Sequence, residues 1–208
     1  MQPMTTNLQS SSALDEETAR AEIYGLLSQL FYQVPSAEFL AQLRVAVTDA
    51  PVEGGFLEEP WRQLVAAARQ GSDEDIANEY KHLFGGVGKP EIYLYASHYV
   101  SGFLNDKPVA RLREDLKALG LDRDDSMSET EDHFSYLCEV MRYLIAGDDV
   151  AVANLTHQRT FFATHIQPWS QSMTETIAKH PKAKFFGALA EFTQSFLGIE
   201  AQGFDLLT

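Results

Sequence analysis

The sequence has only one cysteine, Cys138, among its 208 residues. An intramolecular disulfide and a cysteine-rich metal site are therefore both excluded. No stretch approaches the roughly 20 apolar residues that a membrane-spanning helix requires. The segment from Met1 to Ser12 is polar and lacks the charged start and the apolar run of an export signal. We therefore expect a cytoplasmic protein that does not insert into a membrane.

Basic residues are scarce, because 16 Lys and Arg stand against 30 Asp and Glu, which leaves a formal net charge of -14. A charge of this sign repels phosphate backbones and anionic lipid headgroups, so we do not expect nucleic acid or a membrane surface as a partner. A basic peptide would be attracted by the same field. Acidic surfaces also occur on soluble proteins that bind nothing basic, so the charge by itself does not choose a partner.

Motifs for catalysis, metal binding and nucleotide binding are missing. None of the six histidines has HExxH spacing, and His157 and His165 lie eight residues apart without a carboxylate placed to complete a site. A phosphate-binding loop would need glycine at Leu83 and Ser or Thr at Pro90. Cys138 falls on an apolar helical stripe, where it is expected to be a core residue. We predict no catalytic residue, no metal and no cofactor.

Helical periodicity dominates the rest of the chain. Apolar residues recur at helical spacing over 19–31, with Asp15 placed to cap this helix, and Ser72 and Pro108 mark two further helix starts. Similar stripes predict helices over 39–47, 57–68, 76–84, 109–119, 134–145, 155–166 and 185–196. The aromatic segment 92–104 fits a helix or a strand, and we interpret it as a helix.

These elements predict an all-α fold. Residues 15–208 would form one compact bundle of about eight or nine helices. Residues 1–14 would form a flexible leader in front of the bundle.

The first segment of functional interest is EYKHLFGGVGKPEIYLYASHY, which runs from 79 to 99. Its glycines and Pro90 stop a helix, so a loop is predicted between 85 and 91. Tyr80 and Phe84 can be core residues. Alternatively, a loop flanked by tyrosines forms the rim of a peptide groove, because Tyr packs against apolar groups and also hydrogen-bonds. Both interpretations stay open.

The second segment, EDHFSYLCEVMRYL, covers 131–144 and follows an acidic stretch. The carboxylates of this stretch are Asp122, Asp124, Asp125, Glu129, Glu131 and Asp132. Ser128 and Glu131 form a capping box that predicts the start of a long helix. Asp132 and His133 are then expected to face outward beside an apolar surface, where they either receive a cation or solvate a helix end.

The third segment is FFATHIQPW, from 161 to 169. His165 and Trp169 bracket Pro168, which we expect to break one helix and to start the next. Taken alone, this segment is typical of a helix junction that is packed by aromatic side chains.

In this order and with these separations, the three segments resemble the TorD/DmsD family of redox-enzyme maturation chaperones. The resemblance implies an all-helical protein that binds the twin-arginine signal peptide of a redox-enzyme precursor and holds it until cofactor loading. It implies a signal-peptide site at Tyr80, Phe84, Pro90, Tyr95, Asp132 and His133. Glu79, His165, Pro168 and Trp169 would be family motif positions that serve the fold. One departure is Leu94, where the family often has proline.

A twin-arginine leader presents two guanidinium groups followed by an apolar run, so its receptor needs carboxylates next to a hydrophobic groove. Asp132 and its acidic neighbours would attract the arginines, while Tyr80, Phe84 and Tyr95 would receive the apolar part. The expected client is the apo-form of a formate dehydrogenase or another molybdoenzyme, and the chaperone would be a monomer or a helix-exchanged dimer. Two alternatives are a nitrate-reductase-type assembly chaperone that acts on a cytoplasmic apoenzyme, and a small helical nucleotide-binding enzyme.

Overall fold

The computed structural model describes residues 8–48, 55–85, 89–123 and 128–206, with side chains from residue 16 onward. The α-helices of this part are α1 (Leu8–Tyr32), α2 (Ala37–Arg44), α3 (Glu58–Gln70), α4 (Asp73–Leu83), α5 (Ala96–Ser101), α6 (Lys107–Ala118), α7 (Phe134–Ala146), α8 (Leu155–Phe161), α9 (Gln167–Ala178) and α10 (Phe185–Asp205). A π-helical turn, Phe162–Ile166, joins α8 to α9. With α8 and α9 counted as one continuous rod, the described chain has nine helices, which confirms the predicted all-α bundle.

The centre of the bundle is the pair formed by α1 and α7, and α10 packs on α3 and α9 beside it. The stripe predicted for α1 is confirmed, because Leu27, Leu30 and Phe31 are fully buried. Facing side chains from α7, such as Leu137 and Met141, are also fully buried. Burying one side chain of this size contributes about 1.5–3 kcal/mol, so this interface fixes the orientation of both helices. No helix in the described ranges is long and apolar enough to cross a membrane.

Several helix ends match the local sequence signals. Ser72 and Asp75 form a reciprocal capping box at the start of α4, and Pro108 lies in the first turn of α6. Gly120 has a φ of 71° just beyond α6, a conformation that glycine adopts without the clash of a Cβ. Helix α1 differs, because it begins at Leu8, so Asp15 lies inside the helix and not at its start. Residues 1–7 of the predicted leader lie outside the described part of the chain.

The start of α7 differs from the prediction. The helix begins at Phe134 with His133 as its N-cap, so the predicted capping box of Ser128 and Glu131 is wrong. The Glu131 carboxylate instead accepts two hydrogen bonds from Arg113 of α6, at 2.8 and 2.9 Å. A carboxylate that is engaged by both N–H groups of an Arg fork is not free to cap a helix.

The aromatic segment 92–104 is helical only in its middle, where α5 covers Ala96–Ser101. Its first residues run beside the segment that leads into α7: Ala96 N donates to Asp132 O (3.0 Å), and Phe134 N donates to Leu94 O (2.8 Å). Tyr95 and His133 form an isolated antiparallel bridge between the two segments. The two loops that carry predicted site residues are therefore tied to each other by their backbones.

Pro168 does not break a helix, contrary to the prediction. The N–H of Gln167 reaches back to the carbonyl of Phe162, which is the i→i−5 bond of a π-helical turn. This extra residue shifts the hydrogen-bond register just before Pro168, which then lies in the first turn of α9. A proline in that position displaces no hydrogen bond, so the rod continues from Leu155 to Ala178.

Candidate functional site

Glu79 connects α4 to the N-terminus of α10. Its carboxylate accepts hydrogen bonds from the backbone N–H groups of Lys184 (2.8 Å), Phe185 (3.1 Å) and Phe186 (2.8 Å). These donors have no partner inside the helix, and a negative charge is favourable at the positive end of the helix dipole. Glu79 is therefore a structural residue that sets the position of α10.

Tyr80 and Phe84 form a partly buried aromatic cluster with two core rings. The ring centroid of Phe84 lies 5.3 Å from that of Tyr80, 5.2 Å from that of Phe186 and 6.2 Å from that of Phe31. The Tyr80 hydroxyl donates to the carbonyl of Phe31 (3.2 Å), and burial raises the pKa of Tyr80. Both residues belong to the packing between α1, α4 and α10, and each leaves part of its side chain accessible.

Asp132 faces the interior, so the expected outward orientation is wrong. Its side chain is 1% exposed. One carboxylate oxygen accepts from the backbone N–H of Ser97 in α5 (2.9 Å), and the other accepts from the Thr130 hydroxyl (2.6 Å). A buried carboxylate needs such donors, and the first N–H groups of α5 supply one. Asp132 thus joins the loop before α7 to the first turn of α5.

His133 is also buried, contrary to expectation, with an exposed fraction of 4%. Its Nδ1 accepts from the backbone N–H of Ser135 (3.3 Å) and lies 2.8 Å from the Ser135 hydroxyl. The ring packs against Tyr95 and Tyr136, with centroid distances of 5.0 and 5.9 Å. Burial lowers the pKa of His133 to about 4, so the imidazole is neutral at physiological pH.

Tyr95 contacts Glu129, an acid of the acidic stretch that is not among the predicted site residues. The Tyr95 hydroxyl donates a hydrogen bond to the carboxylate of Glu129, and burial together with this carboxylate raises the pKa of Tyr95. The charge of Glu129 also contributes to the raised pKa of Tyr80. Burial and the neighbouring Tyr32 raise the pKa of Tyr136 to about 12. We call Tyr32, Tyr80, Tyr95 and Tyr136 with Glu129 the tyrosine cluster.

The sequence marks Tyr80 and Tyr95, but it gives no signal that Tyr32, Tyr136 and Glu129 lie beside them. The tyrosines of the cluster come from α1, α4, the loop before α5 and α7, so only the docking of these segments brings them together.

A groove of about 380 Å³ opens beside the tyrosine cluster. It lies between the end of α1, the start of α2 and α7, and we call it the α1–α7 groove. Its walls are mostly apolar. They include two tyrosines of the cluster, whose ring centroids lie 5.7 Å apart, and comprise Tyr32, Tyr136, Val34, Pro35, Phe39 and Glu139. This surface combines aromatic faces, aliphatic groups and a carboxylate.

A second groove, of about 510 Å³, lies between α5, α6 and α9. It brings together four of the predicted positions, namely Asp132, His165, Pro168 and Trp169. Its edge carries the exposed side chain of Val100 and two cationic groups, Lys107 and Arg111. We call it the α5–α9 groove.

His165 and Trp169 hold the π-turn in place. The Nε2 of His165 lies 2.8 Å from a carboxylate oxygen of Asp115, and burial lowers the pKa of this histidine. The indole N–H of Trp169 donates to the His165 carbonyl (2.7 Å), and its ring stacks on Tyr99. These contacts make His165 and Trp169 packing residues of the rod, with one face toward the α5–α9 groove.

Pro90 lies partly buried in the loop after α4. The loop predicted between 85 and 91 is closed at its base by a hydrogen bond from Ile92 N to Leu83 O (2.9 Å). Residues 86–88, which include two of the glycines, lie outside the described residues. Pro90 is therefore near Tyr80 and Phe84 along the chain but is not a member of the tyrosine cluster.

Metal-binding geometry is not found in the part of the chain that the structure describes: no group of three or more His, Cys, Asp and Glu side chains is arranged for an ion. Cys138 is fully buried in α7, and burial raises the pKa of its thiol. A buried thiol of raised pKa carries little of the reactive thiolate, so it is a poor nucleophile.

Comparison with known proteins assigns the family. A family model described as nitrate reductase delta subunit matches residues 55–175. A chaperone protein TorD of Vibrio cholerae is 26% identical, over 91% of this chain and 93% of that protein. The chaperone protein TorD of Aliivibrio fischeri is 24% identical over 88% of this chain and 93% of its own, and that of Colwellia psychrerythraea is 22% identical over 90% and 92%.

The family model covers more than half of the chain, and these relatives align over nearly their whole length. The resemblance that the three ordered segments suggested is thereby confirmed. The chain belongs to the TorD/DmsD family of redox-enzyme maturation chaperones.

Proposed function

We propose that this protein is a cytoplasmic chaperone that binds the twin-arginine signal peptide of a molybdoenzyme precursor and holds it until the cofactor is loaded, before export. The observation that carries this proposal is the position of the tyrosine cluster next to the α1–α7 groove. A carboxylate among aromatic rings suits an arginine, and an adjoining apolar groove suits the apolar run that follows it.

The predicted residues serve this site in two ways. Tyr80, Phe84 and Tyr95 each keep part of their side chain accessible and would contact the peptide. Asp132 and His133 are buried, so their contribution would be to hold the shape of the loop that presents Tyr95. Pro90 would limit the freedom of the neighbouring loop.

The affinity should be moderate. A free signal peptide is disordered, so binding has to offset the entropy lost when the peptide becomes ordered. We expect a dissociation constant of about 1 μM or lower, which corresponds to about −8 kcal/mol. The negative net charge of the chain favours encounter with the basic part of the peptide, and this contribution should weaken as salt is added.

Isothermal titration calorimetry with synthetic twin-arginine leaders tests the proposal. The leaders should come from molybdoenzyme precursors, including formate dehydrogenases, that are encoded near the gene for this protein. Absence of binding by every such leader would reject the proposed function. The protein should bind the leader without any added nucleotide. Turnover of nucleotides by the purified protein would instead favour the enzyme alternative.

Two matched variants decide which groove is used. Phe39→Glu places a charge in the α1–α7 groove, and Val100→Glu places the same charge at the edge of the α5–α9 groove. We expect Phe39→Glu to weaken leader binding by about tenfold, equal to about 1.4 kcal/mol, and Val100→Glu to change it by less than about twofold. The reverse pattern would place the peptide in the α5–α9 groove.

The description of the matching family model favours one second candidate, an assembly chaperone that acts on an apoenzyme without a leader. Co-purification of this protein with its client precursor, with and without the leader, separates the two. Loss of the complex when the leader is deleted supports signal-peptide binding, whereas an unchanged complex supports the assembly role. Light scattering during the same purification distinguishes a monomer from a helix-exchanged dimer.

A further inference from the structure

Glu129 is partly buried and has no cationic partner among the residues that the structure describes. Glu131 is neutralised by Arg113, and Asp132 is satisfied by two hydrogen bonds. None of the ion pairs formed within the described ranges includes Glu129. The neighbouring imidazole of His133 is buried and does not supply a charge. A partly buried carboxylate without a cation is unfavourable, so it is suited to receive one from a ligand.

The surroundings of Glu129 select a planar cation. Tyr95 donates its hydroxyl to the carboxylate, while the rings of Tyr32 and Tyr136 lie 5.7 Å apart at the end of the α1–α7 groove. A guanidinium group can pair with a carboxylate through its fork of N–H groups and can stack on an aromatic face at the same time. An ammonium group has neither the fork nor the flat surface, so this environment favours arginine over lysine.

The hydroxyl of Tyr136 is a second group near Glu129 whose hydrogen-bonding capacity is not used by the described residues. Tyr136 is 7% exposed and lines the α1–α7 groove. Its hydroxyl lies near Tyr32 and the backbone of Glu129, yet it makes no hydrogen bond of acceptable geometry with any described residue. A buried hydroxyl is rarely left unpaired, and its lone pairs can accept from a guanidinium, which is a donor only.

We propose that Glu129, Tyr95, Tyr136 and Tyr32 form the receptor for one arginine guanidinium of the twin-arginine pair, with the rest of the leader extending along the α1–α7 groove. Glu129 accepts the charged hydrogen bonds, Tyr136 accepts one more through its hydroxyl, and the tyrosine rings stack on the plane of the cation. This inference rests on the proposed function, because it names the residues by which the same site reads its peptide.

The groove offers room for the peptide to continue. A wider depression of about 600 Å³ adjoins the α1–α7 groove and shares Gln29, Phe39 and Glu139 with it. Leu26 and Ala21 of α1 contribute apolar groups to this depression, as an apolar run requires. The arginine receptor therefore stands at one end of a continuous surface, and the apolar part of the leader would lie on Phe39 and beyond.

The test compares Glu129→Gln with Glu131→Gln. Both changes remove one negative charge from the same loop, but Glu131 is already paired with Arg113 and Glu129 has no such partner. Calorimetry would use three peptides: the natural leader and two leaders that each carry one Arg→Lys substitution. We expect Glu129→Gln to weaken binding of the natural leader by about tenfold or more, and Glu131→Gln by less than about twofold.

The peptide series gives the more specific result. One of the two Arg→Lys leaders should bind the wild-type protein more weakly than the natural leader does, and this difference should vanish in Glu129→Gln. Tyr136→Phe should also weaken binding of the natural leader. The midpoint of thermal unfolding should change little, because the hydroxyl that is removed makes no well-formed hydrogen bond within the described chain. Thermal unfolding of every variant ensures that a loss of binding is not a loss of the fold.

Each outcome leads to a separate conclusion. If the wild-type protein binds no leader, the proposed function fails. If the leader binds, and Glu129→Gln binds it as tightly as wild type, the arginine receptor is wrong while the proposed function stands. Equal losses in Glu129→Gln and Glu131→Gln with all three peptides would mean a general charge effect, which also overturns the receptor.

Discussion

The buried imidazole of His133 should make the free energy of unfolding fall as the pH drops below about 6.5. The native pKa is about 4, against 6.5 for an unperturbed histidine, and burial is the main cause. The negative charges of Glu129 and Asp132 oppose the shift but do not cancel it. Protonation would also place a hydrogen on Nδ1, which in the native state accepts from the backbone N–H of Ser135.

The sign and size follow from linkage between folding and proton binding. Between the two pKa values the unfolded chain binds the proton more tightly, so stability is full above about pH 6.5 and declines as the pH falls toward 4. A difference of about 2.5 pKa units corresponds to about 3.4 kcal/mol at the acid limit. The expected loss is about 1.4 kcal/mol at pH 5.5 and about 2.6 kcal/mol at pH 4.5.

Urea unfolding followed by far-UV circular dichroism, at several pH values from about 7.5 to 4.5, measures this loss. His133→Asn is the matched variant, because asparagine is a good N-cap and does not titrate. The variant should lose less stability on acidification than the wild-type protein, even if it is less stable at pH 7.5. His165, whose pKa is also lowered, will leave part of the slope in place. Equal slopes in the two proteins would refute the assignment to His133.

Further changes test the fold. Glu79→Ala removes the acceptor of three N–H groups at the start of α10 and should lower the free energy of unfolding by about 2–3 kcal/mol. Its control, Glu191→Gln on the exposed face of α10, should change this free energy by less than about 0.5 kcal/mol. Gly198→Ala, in the middle of α10 with open space around the added methyl, should stabilise the protein by about 0.5–1 kcal/mol, while Gly120→Ala, at a φ of 71°, should destabilise it by about 1 kcal/mol. Urea unfolding measures the stability of all four variants. Equal changes for Glu79→Ala and Glu191→Gln, or for Gly198→Ala and Gly120→Ala, would contradict the reasoning.

The helices were predictable because their signals are local. Apolar residues such as Leu112 and Leu116 lie on one face of α6 at helical spacing, and both are buried. The Ser72 capping box and the glycine after α6 act within a few residues of the helix ends that they define. Such patterns depend on the geometry of a single helix, so they can be read without knowing what the helix packs against.

The behaviour of the acidic loop was not predictable, because it depends on partners far along the chain. Glu131 fits a local capping box but pairs with Arg113, which lies on another helix. The local sequence predicts that Asp132 is solvated at a helix start, but its carboxylate is buried and accepts a hydrogen bond from a backbone N–H of α5. A carboxylate is satisfied by whichever donors the packing brings near it, and those donors are not visible in the local pattern.

The sequence by itself determined an acidic, all-helical protein, the order of its helices and, through three ordered segments, its family. Only the tertiary structure decided which of the predicted site residues keep an accessible side chain and which are buried. Glu79, Asp132 and His133 hold neighbouring segments together, and the latter two are buried, while Glu129, one acid among six in its stretch, lies among four tyrosines. Helix periodicity is a property of neighbours in sequence, whereas a cluster of this kind is a property of neighbours in space. Only the packing of α1, α4, α7 and the loop before α5 brings these side chains together.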